Sequence, residues 1–294
     1  MSAEPAGLPA PYQPDALVRF GTSSFSSKDW VGPFYPPRTA PRAFLTLYAQ
    51  EFDTVEVDTT YYALPSARLV DGWREKVPEG FLLAAKFPKS IVHAGQTRHP
   101  DPRRVLDPDA TYADRDQFLE TMARMGSKLG TLLIQFPYFN REAFPSAGPF
   151  LERLDPFLRD LPKEGFQYAV EIRNKAWQKS DYVEILRRHG VDMVLVDQAW
   201  MPHGEQVVQQ YDVLTGPSCY IRLLGDRQGI ERITKTWDEE VLDQSATLSR
   251  WASLIANMMA RGVRCLVYVN NHFAGHAPST VRQLRGMVRH ELDA

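Results

Sequence analysis

The sequence has few cysteines, no long apolar run and no excess of charge of one sign, and each shortage excludes a class of protein. Two cysteines in 294 residues are too few for a disulfide framework, and their apolar surroundings predict buried free thiols. No apolar run approaches the roughly 18 residues of a membrane helix, and the N-terminal residues lack the charged region and following apolar region expected of a secretory signal. A net charge of −2 argues against a broad nucleic-acid-binding surface. We therefore expect a cytoplasmic protein with no membrane partner, for which nucleic acid is a disfavoured ligand.

The motifs that announce common cofactors are also missing. No Gly-x-Gly-x-x-Gly follows the first predicted strand, and neither a P-loop nor a Gly-x-Ser-x-Gly elbow occurs. Of the seven histidines, only His272 and His276 have a ligand-like spacing, and they lie in a predicted loop. We assign no metal-ligating residue and no nucleotide cofactor. A divalent Mg²⁺ or Mn²⁺ ion remains an open alternative because of four carboxylates: Glu56, Asp58, Glu171 and Asp197.

The pattern of apolar residues predicts a single α/β barrel. Residues 1–16 are rich in proline and alanine and are predicted to form a flexible tail. From residue 17 to residue 294, strand-like runs alternate with helical stripes, and no composition break marks a domain boundary. This order favours a (β/α)8 TIM-type barrel with parallel strands and outer helices. A doubly wound open sheet is the alternative. The predicted strands are 17–21, 54–58, 81–86, 131–136, 167–173, 192–197, 219–223 and 265–271.

One strand carries the strongest functional signal. Val55 and Val57 alternate with Glu56 and Asp58, the period of a strand with two unlike faces. In a closed parallel barrel the face opposite the helices is the interior. The two carboxylates are therefore expected inside the barrel, near the end where barrel enzymes hold their active sites.

Most of the other predicted strands also end in a polar or charged residue. A packed barrel interior prefers branched aliphatic residues, so charges there must be paired or lie at the wet mouth. We expect these side chains to meet at the C-terminal mouth of the barrel. They are Glu56, Asp58, Lys86, Gln135, Glu171, Arg173, Asp197, Arg222, Asn270 and Asn271.

Residue chemistry suggests roles for this set. Glu56 and Glu171 are the minimum for acid/base or glycosidic chemistry. Lys86 is the third predicted catalytic residue, as a base or a Schiff-base nucleophile, and an ion-pair or anion-binding role is favoured over the Schiff base. Arg173 and Arg222 are suited to clamp a carboxylate or phosphate. The other predicted substrate-binding residues are Asp58, Tyr61, Gln135, Trp177, Asp197, Asn270 and Asn271.

Structural interpretations compete with these roles. Glu171 and Arg173 stand two apart on one strand face and are equally consistent with a buried ion-pair network. Asp197 fits a cap of the loop that follows it. At the level of function, an enzyme acting on a small polar substrate, a hydrolase or a lyase, competes with a non-catalytic binding module for a metabolite or a nucleic-acid end. The sequence makes no prediction of oligomeric state.

Several motifs in order give the chain a resemblance to a known family. Between Phe20 and Leu284 it resembles the YecE-like family, the domain-of-unknown-function family numbered seventy-two. The resemblance implies a TIM-type barrel with these motifs around the mouth, and no established reaction. The family usually has Asn at the position of Asp58, Ser at that of Ala176 and His at that of Leu224, so this chain departs from it at three positions. The matching motifs are Gly21-Thr-Ser, Trp30-x-Gly-x-Phe-Tyr-Pro36, Phe52-Asp-Thr-Val-Glu-Val-Asp-Thr-Thr-Tyr-Tyr-Ala-Leu-Pro65, Lys128-Leu-Gly-x-Leu-Leu-Ile-Gln-Phe-Pro137, Glu171-Ile-Arg-x-x-x-Trp177, Tyr220-Ile-Arg-x-x-Gly225 and Asn270-Asn-x-x-x-Gly-x-Ala-Pro278.

Overall fold

Eight parallel strands form a nearly closed barrel in the computed structural model, which describes residues 17–293 apart from 96 and 98. Seven neighbouring pairs are hydrogen-bonded in the order β1-β8-β7-β6-β5-β4-β3-β2, and β1 lies beside β2. The predicted (β/α)8 barrel is confirmed. Its strands are β1 (Val18–Thr22), β2 (Thr54–Val57), β3 (Leu82–Lys86), β4 (Leu129–Gln135), β5 (Tyr168–Glu171), β6 (Asp192–Gln198), β7 (Cys219–Gly225) and β8 (Cys265–Val269).

Helices follow the strands and cover the outside of the barrel. No helix within the described residues is long and apolar enough to cross a membrane. The α-helices are α1 (Phe44–Glu51), α2 (Thr59–Tyr62), α3 (Ala67–Lys76), α4 (Lys89–Val92), α5 (Pro108–Ala123), α6 (Ala147–Arg159), α7 (Ser180–His189), α8 (Gly204–Gln210), α9 (Arg227–Ile230), α10 (Ser245–Ala260) and α11 (Ala277–Asp293).

The alternation of side chains along the strands creates two separate cores. Outward-facing residues such as Val55 and Leu83 join the large apolar cluster beneath the helices. Inward-facing residues form a small buried cluster that fills the lower part of the barrel, so this part is a packed core rather than a pore. The inner cluster consists of Ala84, Leu133, Ala169, Val194, Tyr220, Leu266 and Tyr268.

The seam between β1 and β2 is closed by a side chain. The hydroxyl of Tyr48, on α1, accepts a hydrogen bond from the backbone N–H of Thr22 at 2.8 Å and donates one to the carbonyl of Thr54 at 3.1 Å. The strands approach so closely that a Cβ added to Gly21 would lie 2.0 Å from the Thr54 carbonyl oxygen. Glycine at position 21 is therefore required by the closure of the barrel.

Local sequence signals mark the start of two helices. A serine before an apolar helical stripe predicts an N-cap at Ser66, and Ser66 does cap α3, its hydroxyl accepting from the N–H of Leu69 at 3.3 Å. Apolar spacing alone predicts a helix over 114–129, whereas α5 begins six residues earlier. Its N-cap is Asp107, and Pro108 occupies the first turn, where the missing N–H costs nothing. From the sequence alone, Pro108 is assigned to the preceding proline-containing loop with Pro100 and Pro102, which places the predicted start of the helix too late. The predicted tail, residues 1–16, lies outside the described residues.

The seam predicts a specific loss of stability. Tyr48→Phe should lower the free energy of unfolding by about 1–3 kcal/mol, because the Thr22 N–H and the Thr54 carbonyl both lose a partner in a buried position. Urea unfolding would measure this. The matched control is Tyr182→Phe, which removes a buried hydroxyl with a single hydrogen bond among the described residues, to the Val170 carbonyl at 3.1 Å. An equal or larger loss in the control would contradict a special role for Tyr48 at the seam.

Candidate functional site

A polar cavity of about 430 Å³ lies at the C-terminal mouth of the barrel. Its walls come from the C-terminal ends of seven strands, β2 to β8, and the segments after them, which is where TIM barrels hold their active sites. Several of the residues predicted from strand ends meet here. The cavity is lined by Asp58, Tyr61, Tyr62, Lys86, Gln135, Arg173, Gln198, Arg222, Leu224, Gly225, Arg227, Asn270 and His272.

Arg222, on β7, forms the floor of this cavity and is 1% exposed. Its guanidinium binds the Glu56 carboxylate in a bidentate way, with Nε 2.9 Å from Oε2 and Nη2 2.7 Å from Oε1. Its Nη1 donates to Gln135 Oε1 at 3.0 Å and to Glu171 Oε2. Four of the five N–H groups of Arg222 therefore point at protein acceptors. One N–H is left for a ligand, which is too few for a bidentate clamp.

The two buried carboxylates are held by cations on both of their oxygens. Glu171 Oε1 accepts from Arg173 Nε at 2.9 Å, while its Oε2 faces Arg222. Burial alone would raise the pKa of Glu171, but the two guanidinium groups more than offset it and leave the pKa below its usual value. Glu56 Oε2 also accepts from the Tyr220 hydroxyl at 2.8 Å. The arrangement stabilises Glu171 as a carboxylate.

Lys86 is a cation at the mouth, and it makes no hydrogen bond to any residue that the structure describes. It ends β3 beside Glu56, with 3.9 Å between Nζ and Oε1, a distance for an ion pair but too long for a hydrogen bond. Burial and the positive charge of Arg222 lower the pKa of Lys86 to about 8, against the pull of the carboxylates. Asp58 lines the same cavity, and burial raises the pKa of its carboxyl, although Lys86 opposes the shift. At neutral pH the ammonium is therefore close to its own titration range.

Arg173 and Gln135 offer further donors to the cavity. Only Nε of Arg173 is engaged, by Glu171, so within the described residues its two terminal NH₂ groups have no hydrogen-bond acceptor. Its side chain is 24% exposed. The Gln135 oxygen accepts from Arg222, which turns the amide NH₂ away from that contact. Tyr61, whose pKa is raised by burial despite the charge of Arg173, completes this wall.

The opposite wall follows β8. The Asn270 side-chain oxygen accepts from the backbone N–H of His272 at 3.0 Å and lies 2.5 Å from Nδ1 of its ring. The other ring nitrogen of His272 lies 3.2 Å from a Glu231 oxygen. Asn270 and Glu231 together hold the imidazole at the edge of the cavity, beside the exposed Arg227, which also pairs with Glu231 at 2.7 Å.

Three of the predicted ligand-binding residues lie away from the cavity. Asp197 faces outward from β6 and accepts from Trp251 Nε1 at 2.6 Å. Trp177 is buried among aromatic rings and stacks on Phe150 at 5.3 Å between ring centroids. Asn271 accepts from Trp30 Nε1 and from the N–H of Ala277, at 3.2 and 3.0 Å, so it joins two loops.

Other residues of the cavity, and Tyr220 beneath it, were not selected from the sequence. Tyr220 precedes Arg222 by two positions and shares its inward face, so period-two counting would have found it. Gln198 likewise follows the inward Val194 by an even number of residues on β6. Arg227 and His272 belong to the segments that follow β7 and β8, where no strand alternation applies.

The donor set is poorly suited to a metal ion. Within the described part of the chain, no group of three or more His, Cys, Asp or Glu residues is arranged to hold one. Glu56, Asp58 and Glu171 lie near one another, but the oxygens of Glu56 and Glu171 already contact guanidinium groups. A metal ion would have to displace the guanidinium groups from these oxygens. The fourth carboxylate of the predicted set, Asp197, points away.

Comparison with known proteins places this architecture in a family. A sequence model described as "Protein of unknown function DUF72" matches residues 19–294. The relative named UPF0759 protein YecE, from Escherichia coli (strain K12), is 30% identical over 197 residues, which are 60% of this chain and 65% of that protein. UPF0759 protein YunF, from Bacillus subtilis (strain 168), is 27% identical over 169 residues, 57% of this chain and 55% of that protein. The chain thus spans less than two thirds of the relatives it matches.

Solved structures show the same fold. The crystal structure of a DUF72 family protein from Thermotoga maritima MSB8 covers 93% of this chain and 99% of its own, with a TM-score of 0.68 and 26% identity. A DUF72 family protein from Enterococcus faecalis V583 covers 93% and 98%, with a TM-score of 0.61 and 22% identity. The second likeness, at this identity, concerns the fold alone.

The ion-pair network predicts a large, pH-dependent loss of stability. Arg222→Met should cost about 3–5 kcal/mol of unfolding free energy at pH 7, because it strands buried carboxylates without their counter-ion. The lowered pKa of Glu171 stabilises the wild type above the unfolded value near 4.5, and this contribution is lost as the pH falls through the folded pKa. Removing Arg222 raises that folded pKa, so the cost of the substitution should shrink towards pH 4.5.

Urea unfolding of both proteins between pH 4.5 and pH 7 would measure this difference. Arg173→Met is the control, because it removes the more exposed cation of Glu171 and should cost less. A loss below about 1 kcal/mol at pH 7 for Arg222→Met would contradict the network's role.

Proposed function

The chain belongs to the DUF72 family, whose function is undescribed, and we propose that it is an enzyme acting on a small polar substrate that bears a phosphate or carboxylate group. The observation that carries the proposal is the ammonium of Lys86, which lines a polar cavity, makes no hydrogen bond to any described residue and has its pKa lowered to about 8. A partly desolvated, titratable cation at a barrel mouth is typical of catalytic sites.

The anionic end of the substrate would bind between Lys86 and Arg173. The terminal NH₂ groups of Arg173 form a fork that matches a carboxylate or phosphate, and its Nε is fixed by Glu171. Anchoring one edge of the guanidinium orients the other edge in advance, which reduces the entropy lost on binding. Arg227 at the rim would add to the positive potential.

Hydroxyl groups on the substrate would explain the rest of the lining. Gln135, Gln198 and Asn270 supply amides and Asp58 supplies a carboxylate, groups that can donate to and accept from hydroxyls. Tyr62 is 77% exposed at the edge of the cavity and lies edge-on to Tyr61, with 5.3 Å between ring centroids. An exposed ring beside a polar cavity can stack on a sugar ring. A sugar phosphate or sugar acid meets all of these requirements.

Proton transfer is assigned first to Lys86. A general acid or base works best with a pKa near the working pH, and a value of about 8 meets this condition. Glu56 and Glu171, expected from the sequence to form the acid/base pair, remain a prediction in that role. Their contacts with Arg222 favour a structural role, in which the two glutamates hold Arg222 at the floor of the cavity and place negative charge beneath the Lys86 ammonium. These three residues are compatible with both a hydrolysis and an elimination.

A non-catalytic binding module is the second candidate. It is favoured by the hydrogen bonds of Arg222 to Glu56 and Glu171, since a site whose two glutamates are already paired can bind an anion without transforming it. The two candidates share the ligand chemistry and differ in turnover. The net charge of −2 makes nucleic acid a less favoured ligand than a metabolite.

A cytoplasmic location is part of the proposal. Cys219 and Cys265 are free and buried, as predicted, and they occupy directly opposed positions on β7 and β8. Neighbouring thiols that stay unpaired are typical of a reducing compartment.

Anion binding should depend on the charge of Lys86. With sulfate as the probe, which does not titrate near neutral pH, affinity should be highest where Lys86 is protonated and fall as the pH rises through about 8. The loss between pH 7 and pH 9.5 should be roughly tenfold, the value of one charge-assisted hydrogen bond. Isothermal titration calorimetry would measure it.

Lys86→Arg is the matched control, because guanidinium stays protonated over this range and should flatten the profile. An unchanged pH dependence in this variant, or sulfate binding that survives both Lys86→Met and Arg173→Met, would place the anion site elsewhere.

Turnover separates the enzyme from the binding module. A thermal-shift screen of sugar phosphates and sugar acids would identify ligands of the wild type, since a ligand at 100 times its dissociation constant adds about 2.7 kcal/mol of stability. With a converted ligand, Lys86→Met should lower kcat by about 10²–10⁴-fold, while Arg173→Met should chiefly raise KM.

Glu171→Gln tests the predicted carboxylate chemistry, because it keeps the shape and removes the charge. Undiminished kcat in this variant would exclude Glu171 as a catalytic residue. Tight binding of several ligands with conversion of none would favour the binding module.

A further inference from the structure

A second cavity, of about 310 Å³, is formed by the segments that follow β3 and β4 at the C-terminal end of the barrel. Pro100 and Pro102 border it from the first segment, and Tyr138, Asn140 and Glu142 border it from the second. We call it the Tyr138 cavity. It shares no lining residue with the cavity at the mouth, so the proposed function leaves its composition unexplained.

Tyr138 contributes an accessible aromatic ring to this cavity. It is 60% exposed, and it has no aromatic or hydrogen-bond partner among the described residues. Tyr62 and Trp200 are the other exposed aromatic side chains in the described part of the chain. Tyr62 lines the mouth cavity, and Trp200 Nε1 donates to the backbone carbonyl of Arg173, a mouth residue, at 3.4 Å. The exposed rings of the described residues therefore all follow strand ends at the mouth, as expected of a surface that contacts a ligand.

Tyr138 is also within reach of a ligand that is held in the mouth. It follows Gln135, whose side chain lines the mouth cavity, by three residues. A fully extended chain of this length spans at most about 11 Å, so the backbones of Tyr138 and Gln135 are no farther apart than this. A chain molecule of a few units with one end in the mouth can therefore place another unit on Tyr138.

The polar groups of the Tyr138 cavity are accessible and suit hydroxyl groups. Asn140 and Glu142 are both exposed. The Asn140 oxygen accepts from the backbone N–H of Ala143 at 2.9 Å, which leaves the Asn140 NH₂ group to donate to a ligand. Glu142 forms no ion pair with any described residue, so its carboxylate is available to accept from hydroxyls and would repel a phosphate. This lining favours a neutral sugar over a nucleotide.

On the basis of the proposed function at the mouth, we propose that the substrate is a short oligosaccharide with one acidic end. Its carboxylate or phosphate binds at Lys86 and Arg173, and a neutral sugar unit farther along the chain occupies the Tyr138 cavity. The apolar face of that unit stacks on the Tyr138 ring, while its hydroxyls bind Asn140 and Glu142. The chain is thus recognised both at its charged end and at a neutral unit.

Aldonic acids of the cello- and malto-oligosaccharide series test the proposal, because each has a single carboxylate at one end and a chosen number of neutral glucose units beyond it. Calorimetric titration would compare gluconate with the members of two, three and four units. The dissociation constant should fall about tenfold or more at the length that reaches the Tyr138 cavity.

Tyr138→Ala should abolish this gain with length and leave gluconate binding unchanged, because gluconate does not extend beyond the mouth. Tyr138→Phe is the matched control and should keep the gain, since it retains the ring and removes only the hydroxyl. Lys86→Met should weaken the binding of every member, gluconate included. Circular dichroism would verify that each variant is folded, and the length dependence of the wild type decides where a variant does not fold.

The results that overturn this inference differ from those that contradict the proposed function. Affinity that is independent of length in both series, or a gain with length that Tyr138→Ala retains, overturns the oligosaccharide assignment even where Lys86-dependent gluconate binding supports the mouth site. Tighter binding of a short oligothymidylate than of any saccharide also overturns it. Binding of gluconate, glucose 6-phosphate and sulfate that is absent, or that Lys86→Met does not change, contradicts the proposed function and with it the charged end of this substrate.

Discussion

The interaction on which the upper half of this barrel depends is the contact of one arginine with two glutamates. Arg222, Glu56 and Glu171 come from β7, β2 and β5, three strands spread around the barrel, and their side chains meet in its interior. Burying three charges carries a large desolvation cost, which only close pairing and full hydrogen bonding offset. Four of the five N–H donors of Arg222 are used, and every oxygen of the two carboxylates accepts at least one hydrogen bond. This network fixes the relative positions of strands that do not pair with one another.

The same network determines which donors face the cavity. Arg222 and the two glutamates form a fixed floor, and Lys86 and Arg173 lie above it. Because Arg222 takes both Glu56 oxygens, Lys86 is left with a counter-ion at 3.9 Å rather than a hydrogen bond. Because Glu171 holds only the Nε of Arg173, the outer edge of that guanidinium stays available to a ligand. The donors that face the cavity are thus a consequence of how the buried charges are satisfied beneath it.

The barrel and much of its mouth could be predicted from the sequence. Where apolar and polar residues alternate along a strand, the alternation shows which side chains face the barrel interior. Val55 and Val57 against Glu56 and Asp58 give an unambiguous inward face, and the polar ends of β3, β4, β7 and β8 were correctly expected at the mouth. Asp197 was misplaced because β6 is apolar on both faces from Met193 to Val196, so no alternation marks its direction. Trp177 and Asn271 lie in loops, where the chain direction depends on tertiary contacts that sequence spacing does not contain.

The seam between β1 and β2 shows what a strand pattern leaves undetermined. The hydroxyl of Tyr48 bridges the two backbones, accepting from the Thr22 N–H and donating to the Thr54 carbonyl. The Arg19–Asp53 ion pair lies at the N-terminal end of the same gap. A Cβ at position 21 would lie 2.0 Å from the Thr54 carbonyl oxygen, so the strands approach this closely only because residue 21 is glycine. Closure therefore depends on one glycine and on a tyrosine hydroxyl 27 residues away in the sequence, and alternation within a single strand cannot encode such a pair.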